Sequence, residues 1–194
     1  MVMVRPLPRL AALAAALALA LTFSAIAPAV AEAGGATRVE SAEWYALKLL
    51  NCTRTGGWVT STGKCLGKFS GTYSAKRKPL RMHKRLSNKV AYPWARTITI
   101  AGQCAHELAG EPGLVQRFRR KGFTAYPIGE NIGCGSGTAK AAVLHAHRMM
   151  QAEKRYDGGH WKNIKNRRFK SVGIGVATDG ARTMVVYDFY GRLY

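Results

Sequence analysis

His106, Glu130 and His160 are the residues of this chain whose types and settings suit chemistry. Glu130 lies in Gly129-Glu130-Asn131-Ile132-Gly133, and His160 in Gly158-Gly159-His160-Trp161-Lys162-Asn163-Ile164. Each segment sets a group that can carry charge or bind a metal beside backbone that allows close approach. Imidazole nitrogen with carboxylate oxygen suits a borderline divalent ion such as zinc, with water at the open positions. The same groups bracket neutral pH and suit proton exchange. No serine or cysteine nucleophile stands in a recognisable setting. His106-Glu107 is followed by Leu108, Ala109 and Gly110, so the H-E-x-x-H of a zinc protease is absent. A plainer reading stands beside these: Glu130 accepts backbone hydrogen bonds and holds the glycine loop, while His160 packs under Trp161 as a satisfied core residue. His145 and His147, two apart on an expected helix, point to nearly opposite faces and cannot chelate one ion together. His83, in a basic stretch, reads as a surface residue.

The elements that must position these residues can be read from periodicity. Ser41 is the expected N-cap of a helix from Ala42 to about Asn51, with Trp44, Leu47 and Leu50 facing a core. Gly56-Gly57 ends it. Residues 58 to 79 read as an irregular loop holding one short strand. A second helix is expected after Ser87, kinked or broken before Trp94 by Pro93, with His106 near its end. Leu114 to Lys121 has helical spacing at Leu114, Val115 and Phe118, with four cations toward solvent. Ile128 to Cys134 reads as a strand or turn. From the N-cap Thr138 a helix is expected to about Arg155, with Val143, Leu144, Met149 and Met150 as its core stripe. Tyr156-Asp157-Gly158-Gly159 forms the turn that delivers His160, with Gly158 or Gly159 at positive φ. Ser171 to Ala177 and Thr183 to Tyr190 read as a hairpin joined through a two-residue Asp179-Gly180 turn. Helices around a small antiparallel sheet give an α/β (α+β) sandwich.

Composition bounds the setting. Arg5 and Arg9 precede an apolar run of 17 residues, Leu10 to Ile26, and small residues follow at Ala29-Val30-Ala31 or Ala31-Glu32-Ala33. This reads as a secretory signal over residues 1–33, too short for a retained anchor, so the mature chain is expected to have no transmembrane helix. The remainder, residues 34–194, has the size of one domain. In an exported chain, Cys52, Cys65, Cys104 and Cys134 read as bridges rather than a zinc ribbon, since no C-x-x-C occurs. Of three connectivities, Cys52 with Cys65 and Cys104 with Cys134 is favoured, because the second would join the flanks of His106 and Glu130.

The formal net charge is +20. Basic clusters stand at Lys76 to Lys78, Arg81 to Arg85, Arg117 to Lys121 and Lys162 to Lys170. Such a surface attracts polyanions. Export directs it toward an anionic cell-wall polymer, lipid or an acidic protein rather than nucleic acid, unless the charge serves only solubility.

Further residues fall in a recognisable order: Leu49-Leu50-Asn51 with Arg54, Pro79-Leu80-Arg81, Leu86-Ser87, Trp94-Ala95, His106, GENIG, GGHWKNI and the apolar alternation from Val172 to Val176. From about Leu49 to Gly191 the chain resembles the compact bacterial form of the CAP superfamily, which includes cysteine-rich secretory proteins, antigen 5 and plant pathogenesis-related proteins. Pro93, the basic stretch from Lys64 to Lys78, and Met150 in place of a frequent tryptophan depart from the pattern. The resemblance implies an α-β-α sandwich and one cleft lined by His106, Glu130, Glu153 and His160. In it, His106 and His160 are the candidate metal ligands, for zinc or another divalent cation, and no organic cofactor is implied. Asn131, Gly159, Trp161 and Asn163 are supporting positions, with Trp161 and Asn163 fixing the loop around His160. The family implies binding and signalling more often than a reaction. The expected function is therefore a secreted binding protein with a metal-capable cleft and a cationic surface. The alternatives are an extracellular hydrolase at the same cleft, or a cationic cell-wall or membrane binder independent of it.

Overall fold

The computed structural model describes residues 35–67 and 77–193. The expected signal segment and part of the basic stretch lie outside them. Strands β1 (Thr37–Arg38), β4 (Arg81–Met82), β5 (Ile128–Ser136), β6 (Ser171–Thr178) and β7 (Arg182–Tyr190) form one sheet of order β1-β6-β7-β5. β4 adds to β6 in parallel and every other pairing is antiparallel. A separate hairpin joins β2 (Trp58–Val59) to β3 (Cys65–Leu66), two strands where one was expected. The last pair of the β6–β7 hairpin is Thr178 with Thr183, so four residues close it and not a two-residue turn. Asp179 explains the longer loop: its carboxylate accepts from the N–H groups of Ala181 and Arg182 and stabilises a wider turn.

Side-chain alternation along β6 and β7 divides the core between two helical layers. Val172, Ile174, Val176, Val185, Tyr187 and Phe189 face α1 (Glu40–Arg54) and α5 (Ala139–Ala152). Ala177, Met184 and Val186 face α3 (Tyr92–Ala101), which contributes Trp94, Ala95 and Ile98. The result is an α-β-α sandwich. Glycine sets the spacing on both sides. A Cβ at Gly133 would run into Ala146 of α5, and one at Gly175 into the backbone of Ala91 and Tyr92.

Several helices differ from expectation for identifiable reasons. α1 begins at Glu40 behind Val39, and its buried face carries Ala42, Glu43, Ala46, Leu49 and Leu50. Trp44 is half exposed and Leu47 only partly buried, because Arg38 pairs with Glu43 by two hydrogen bonds and turns that side inward. The second helix starts early, as α2 (Lys84–Leu86), and passes through a π-helical turn (Ser87–Ala91) into α3 without a break. Pro93 directly follows the π-helical turn, whose wider hydrogen bond runs from the Tyr92 N–H to the Ser87 carbonyl, so the irregular turn takes up the residue without an N–H and the helix continues. His83 is buried, not at the surface: its Nδ1 accepts from the Leu86 N–H, and its ring packs edge-on to Phe123 and Tyr190. Met149 points to solvent, leaving Val143, Ala146 and Met150 as the core stripe of α5 with Leu144 packed beside it. The Thr138 hydroxyl caps α5 by accepting from the Ala141 N–H. After α5 comes a 3₁₀ turn (Glu153–Tyr156), and positive φ then falls on Asp157 rather than Gly158 or Gly159. Cys52 is bridged to Cys65 and Cys104 to Cys134.

Candidate functional site

Among the described residues β5 pairs only with β7, which leaves its other edge open. Successive residues there point to opposite faces, which sends Glu130 toward the α3 layer and Asn131 toward the α5 layer. On the α3 side, His106 Nδ1 lies 2.8 Å from Glu130 Oε1. Arg117, on α4 (Leu114–Arg120), donates through Nη2 to Glu130 Oε2 and through Nη1 to the carbonyls of His106 and Pro112. Its guanidinium lies 3.9 Å from the centre of the Trp94 ring. One buried arginine thus ties the carboxylate to the loop that carries His106, and the Cys104–Cys134 bridge fixes the same loop to β5. Arg117 is buried, not solvated with its helix neighbours, because Glu130 needs a counter-charge inside the sandwich.

On the α5 side, His160 Nδ1 lies 2.6 Å from Glu153 Oε1, while Glu153 Oε2 accepts from the backbone N–H groups of His160 and Trp161. Gly158 permits this contact, since a Cβ there would meet Glu153 Oε2 at 2.5 Å. Asn131 donates to the His160 carbonyl, and Asn163 donates to Asn131 Oδ1 and to the Glu130 carbonyl on the open edge. Two adjacent residues of one edge strand therefore connect a His106–Glu130 dyad to a His160–Glu153 dyad. Trp161 does not cover His160; its ring meets Lys165, 5.1 Å from the ring centre. Gly159 opens α6 (Gly159–Lys165) with free space around it.

In both dyads the carboxylate can only accept, so Nδ1 carries the proton and Nε2 keeps its lone pair. This arrangement orients an imidazole for a metal. The Glu130 hydrogen bond, together with its charge, raises the pKa of His106 against the opposing effects of burial and Arg117. Among the described residues no three His, Cys, Asp or Glu side chains group closely enough to hold an ion. Each dyad instead offers a single imidazole with a carboxylate behind it, a donor type that suits a divalent ion with water at its open positions and not a closed structural zinc site.

Asp188 was not singled out in the sequence. It stands opposite Glu130 in the β5–β7 register and is fully buried. Burial first, then the Glu130 charge, pushes its carboxyl well above the usual range. No donor reaches either oxygen, and the hydrogen bond open to it is its own proton toward Glu130. The sequence signal was an acid in the inward phase of Met184, Val186 and Tyr190. For Arg117 and Trp94 no comparable signal exists. His147 is buried against Thr53 and His145 is exposed, so they share no ligand.

No curated protein matches the chain. The 1.5 Å crystal structure of an extracellular protein containing an SCP domain from Bacillus anthracis str. Ames aligns at 19% identity and a TM-score of 0.46, over 59% of this chain and 34% of that one. The present chain thus spans about a third of that protein's length. The model of the cysteine-rich secretory protein family, CAP, matches residues 49–189 and takes in both dyads, the C-terminal end of α1, all of α3 and α5, and the long strands up to Phe189. With well over half of its length matched, the chain belongs to the cysteine-rich secretory protein (CAP) family.

Proposed function

We propose that this chain is an exported binding protein whose His106 and His160 imidazoles share a divalent cation, zinc being the ion their chemistry suits, and whose cationic surface meets anionic extracellular ligands. The observation that carries the metal reading is the pair of Nδ1–carboxylate hydrogen bonds, which leaves both Nε2 lone pairs available. A bound cation would act as a Lewis acid or as a bridge to a ligand. The chain's own contribution is orientation: Glu130 and Glu153 hold the rings, Arg117 holds Glu130, and Asn131 and Asn163 hold the His160 loop. Two disulfides agree with an oxidising destination. Among the described residues no helix is long and apolar enough to cross a membrane.

Zinc titration calorimetry on the oxidised protein tests the metal reading. The parent is expected to bind one ion and the His106→Ala/His160→Ala variant none. Metal-free stability should change by no more than about 1 kcal/mol, since both rings are partly exposed. Protons compete for the same imidazoles, so affinity should fall as pH is lowered through the raised pKa of His106. Equal zinc binding by both proteins would sink the reading.

A further inference from the structure

The positive charge of this molecule is not evenly compensated. Every ion pair among the described residues involves Arg38, the two dyads, Arg117, Lys162 or Arg182. At the far end of α6 from His160 no carboxylate among the described residues pairs with the cations. Arg54, 2% exposed, donates to the carbonyls of Lys78, Ile164, Asn166 and Phe169. Arg77 donates to the Lys165 carbonyl, and Lys165 to those of Thr53 and Arg54. These carbonyls, all but those of Lys78 and Phe169 at the C-terminal ends of α1 and α6, satisfy the donors and offset part of the charge. They do not supply a full negative charge, and the electrostatic cost is visible. Burial, with the repulsion of neighbouring cations, lowers Arg54 to about 10 and Lys165 to about 8.

Above Arg54 opens a cleft of about 430 Å³, walled by Lys78, Pro79 and Arg81 on one side and Arg167, Phe169 and Lys170 on the other. Arg81, Arg167, Lys78 and Lys170 reach solvent, and no side-chain acceptor among the described residues engages them. The pairing of β4 with β6 fixes the backbone of Arg81 beside Lys170 and Ser171, so the two walls form part of the sheet framework. A cavity closed by Leu193, with several cations at its mouth, a guanidinium without a carboxylate partner at its base and no acid among its described lining residues, has the electrostatics of an oxyanion receptor. Arginine favours phosphate, whose oxygens match the guanidinium fork.

We propose that this cleft binds a phosphate-type oxyanion, with Arg81, Arg167 and Lys170 in contact with the ligand over the buried Arg54. The site deepens the anionic-ligand half of the proposed function, rests on that half alone, and does not use His106 or His160. The ligand phosphate belongs either to a lipid headgroup or to a soluble or polymeric phosphate.

Calorimetry with inorganic phosphate at pH 8 and fixed ionic strength tests the proposal on the oxidised protein. Arg81→Gln/Arg167→Gln/Lys170→Gln should weaken binding at least about tenfold, because each loses a charge-assisted hydrogen bond. Arg119→Gln/Arg120→Gln/Lys121→Gln removes the same charge from α4 and should stay within about twofold of the parent if contacts rather than the diffuse field hold the anion. Equal weakening in the two triple variants, or no saturable binding by the parent, overturns the site. Zinc binding by the cleft variant should remain at the parental level, so failure here and failure of the metal reading are seen separately. Flotation with phosphatidylglycerol and phosphatidylcholine vesicles assigns the source. Capture by the first alone, lost in the cleft variant, supports a lipid headgroup; phosphate binding without capture supports a soluble or polymeric ligand.

Discussion

Arg117→Ala is expected to lower the unfolding free energy at pH 7 by about 3–5 kcal/mol, the range for removing one partner of a buried ion pair. The substitution deletes the Glu130 contact, two hydrogen bonds to the His106 and Pro112 carbonyls, and the stacking on Trp94. Glu130 would remain with its side chain 1% exposed and Asp188 opposite, without a cation inside the layer. Its escape is to take a proton. The deficit should therefore shrink as pH falls toward 4, and Arg117→Ala/Glu130→Gln should recover part of it at pH 7. Urea unfolding of the three proteins at pH 4.5 and 7 measures both effects. A deficit under about 1 kcal/mol, or one that ignores pH, would mean that water compensates Glu130 as well as arginine does. Zinc affinity should also fall in Arg117→Ala, since the His106 loop loses its anchor on α4.

That prediction turns on a residue the sequence did not flag, and the reason is physical. An arginine among Arg119, Arg120 and Lys121 looks like one more solvated cation; only the tertiary position of Glu130 turns it inward. Periodicity reported what repeats along the chain: the inward phase of Val172, Ile174 and Val176, the cap at Thr138, and the layers that follow from them. The favoured cysteine pairing is also the one formed, because loops that must meet around β5 leave few closures. Periodicity misplaced Trp44, since the pairing of Arg38 with Glu43 outweighs the preference of an aromatic for the interior. The basic stretch around His83 misplaced that residue as well, where a helix cap and two aromatic edges make burial favourable. The division of four acid–base residues into His106–Glu130 and His160–Glu153 pairs depends on the open edge of β5, and no local pattern encodes an edge.

The second large effect is in acid. His147 is fully buried, its Nε2 meets Thr53 Oγ1 at 2.8 Å, and no partner reaches Nδ1. Burial lowers its pKa to about 3. Between the unfolded value near 6.5 and about 3, the unfolded chain binds a proton that the native protein refuses, so this group costs stability as pH falls through that window, by about 1.4 kcal/mol per unit. Asp188 acts with the opposite sign. Its carboxyl, raised by burial and by Glu130, holds a proton in the native state that the unfolded chain releases above about 4, so its contribution weakens as pH rises from there. Where the windows overlap, above about pH 4, the two slopes oppose each other and the parent's dependence on pH at these sites is partly cancelled. Each variant unmasks the other group. His147→Gln, which cannot titrate, should gain about 2–3 kcal/mol on the parent between pH 7 and 4.5. Asp188→Asn should instead lose stability over the same interval, while matching or exceeding the parent at pH 7 because it keeps a neutral donor beside Glu130. Urea midpoints at the two pH values decide the matter. Parallel pH profiles for all three proteins would show that water reaches His147 and Asp188 and that neither is held in its neutral form by burial.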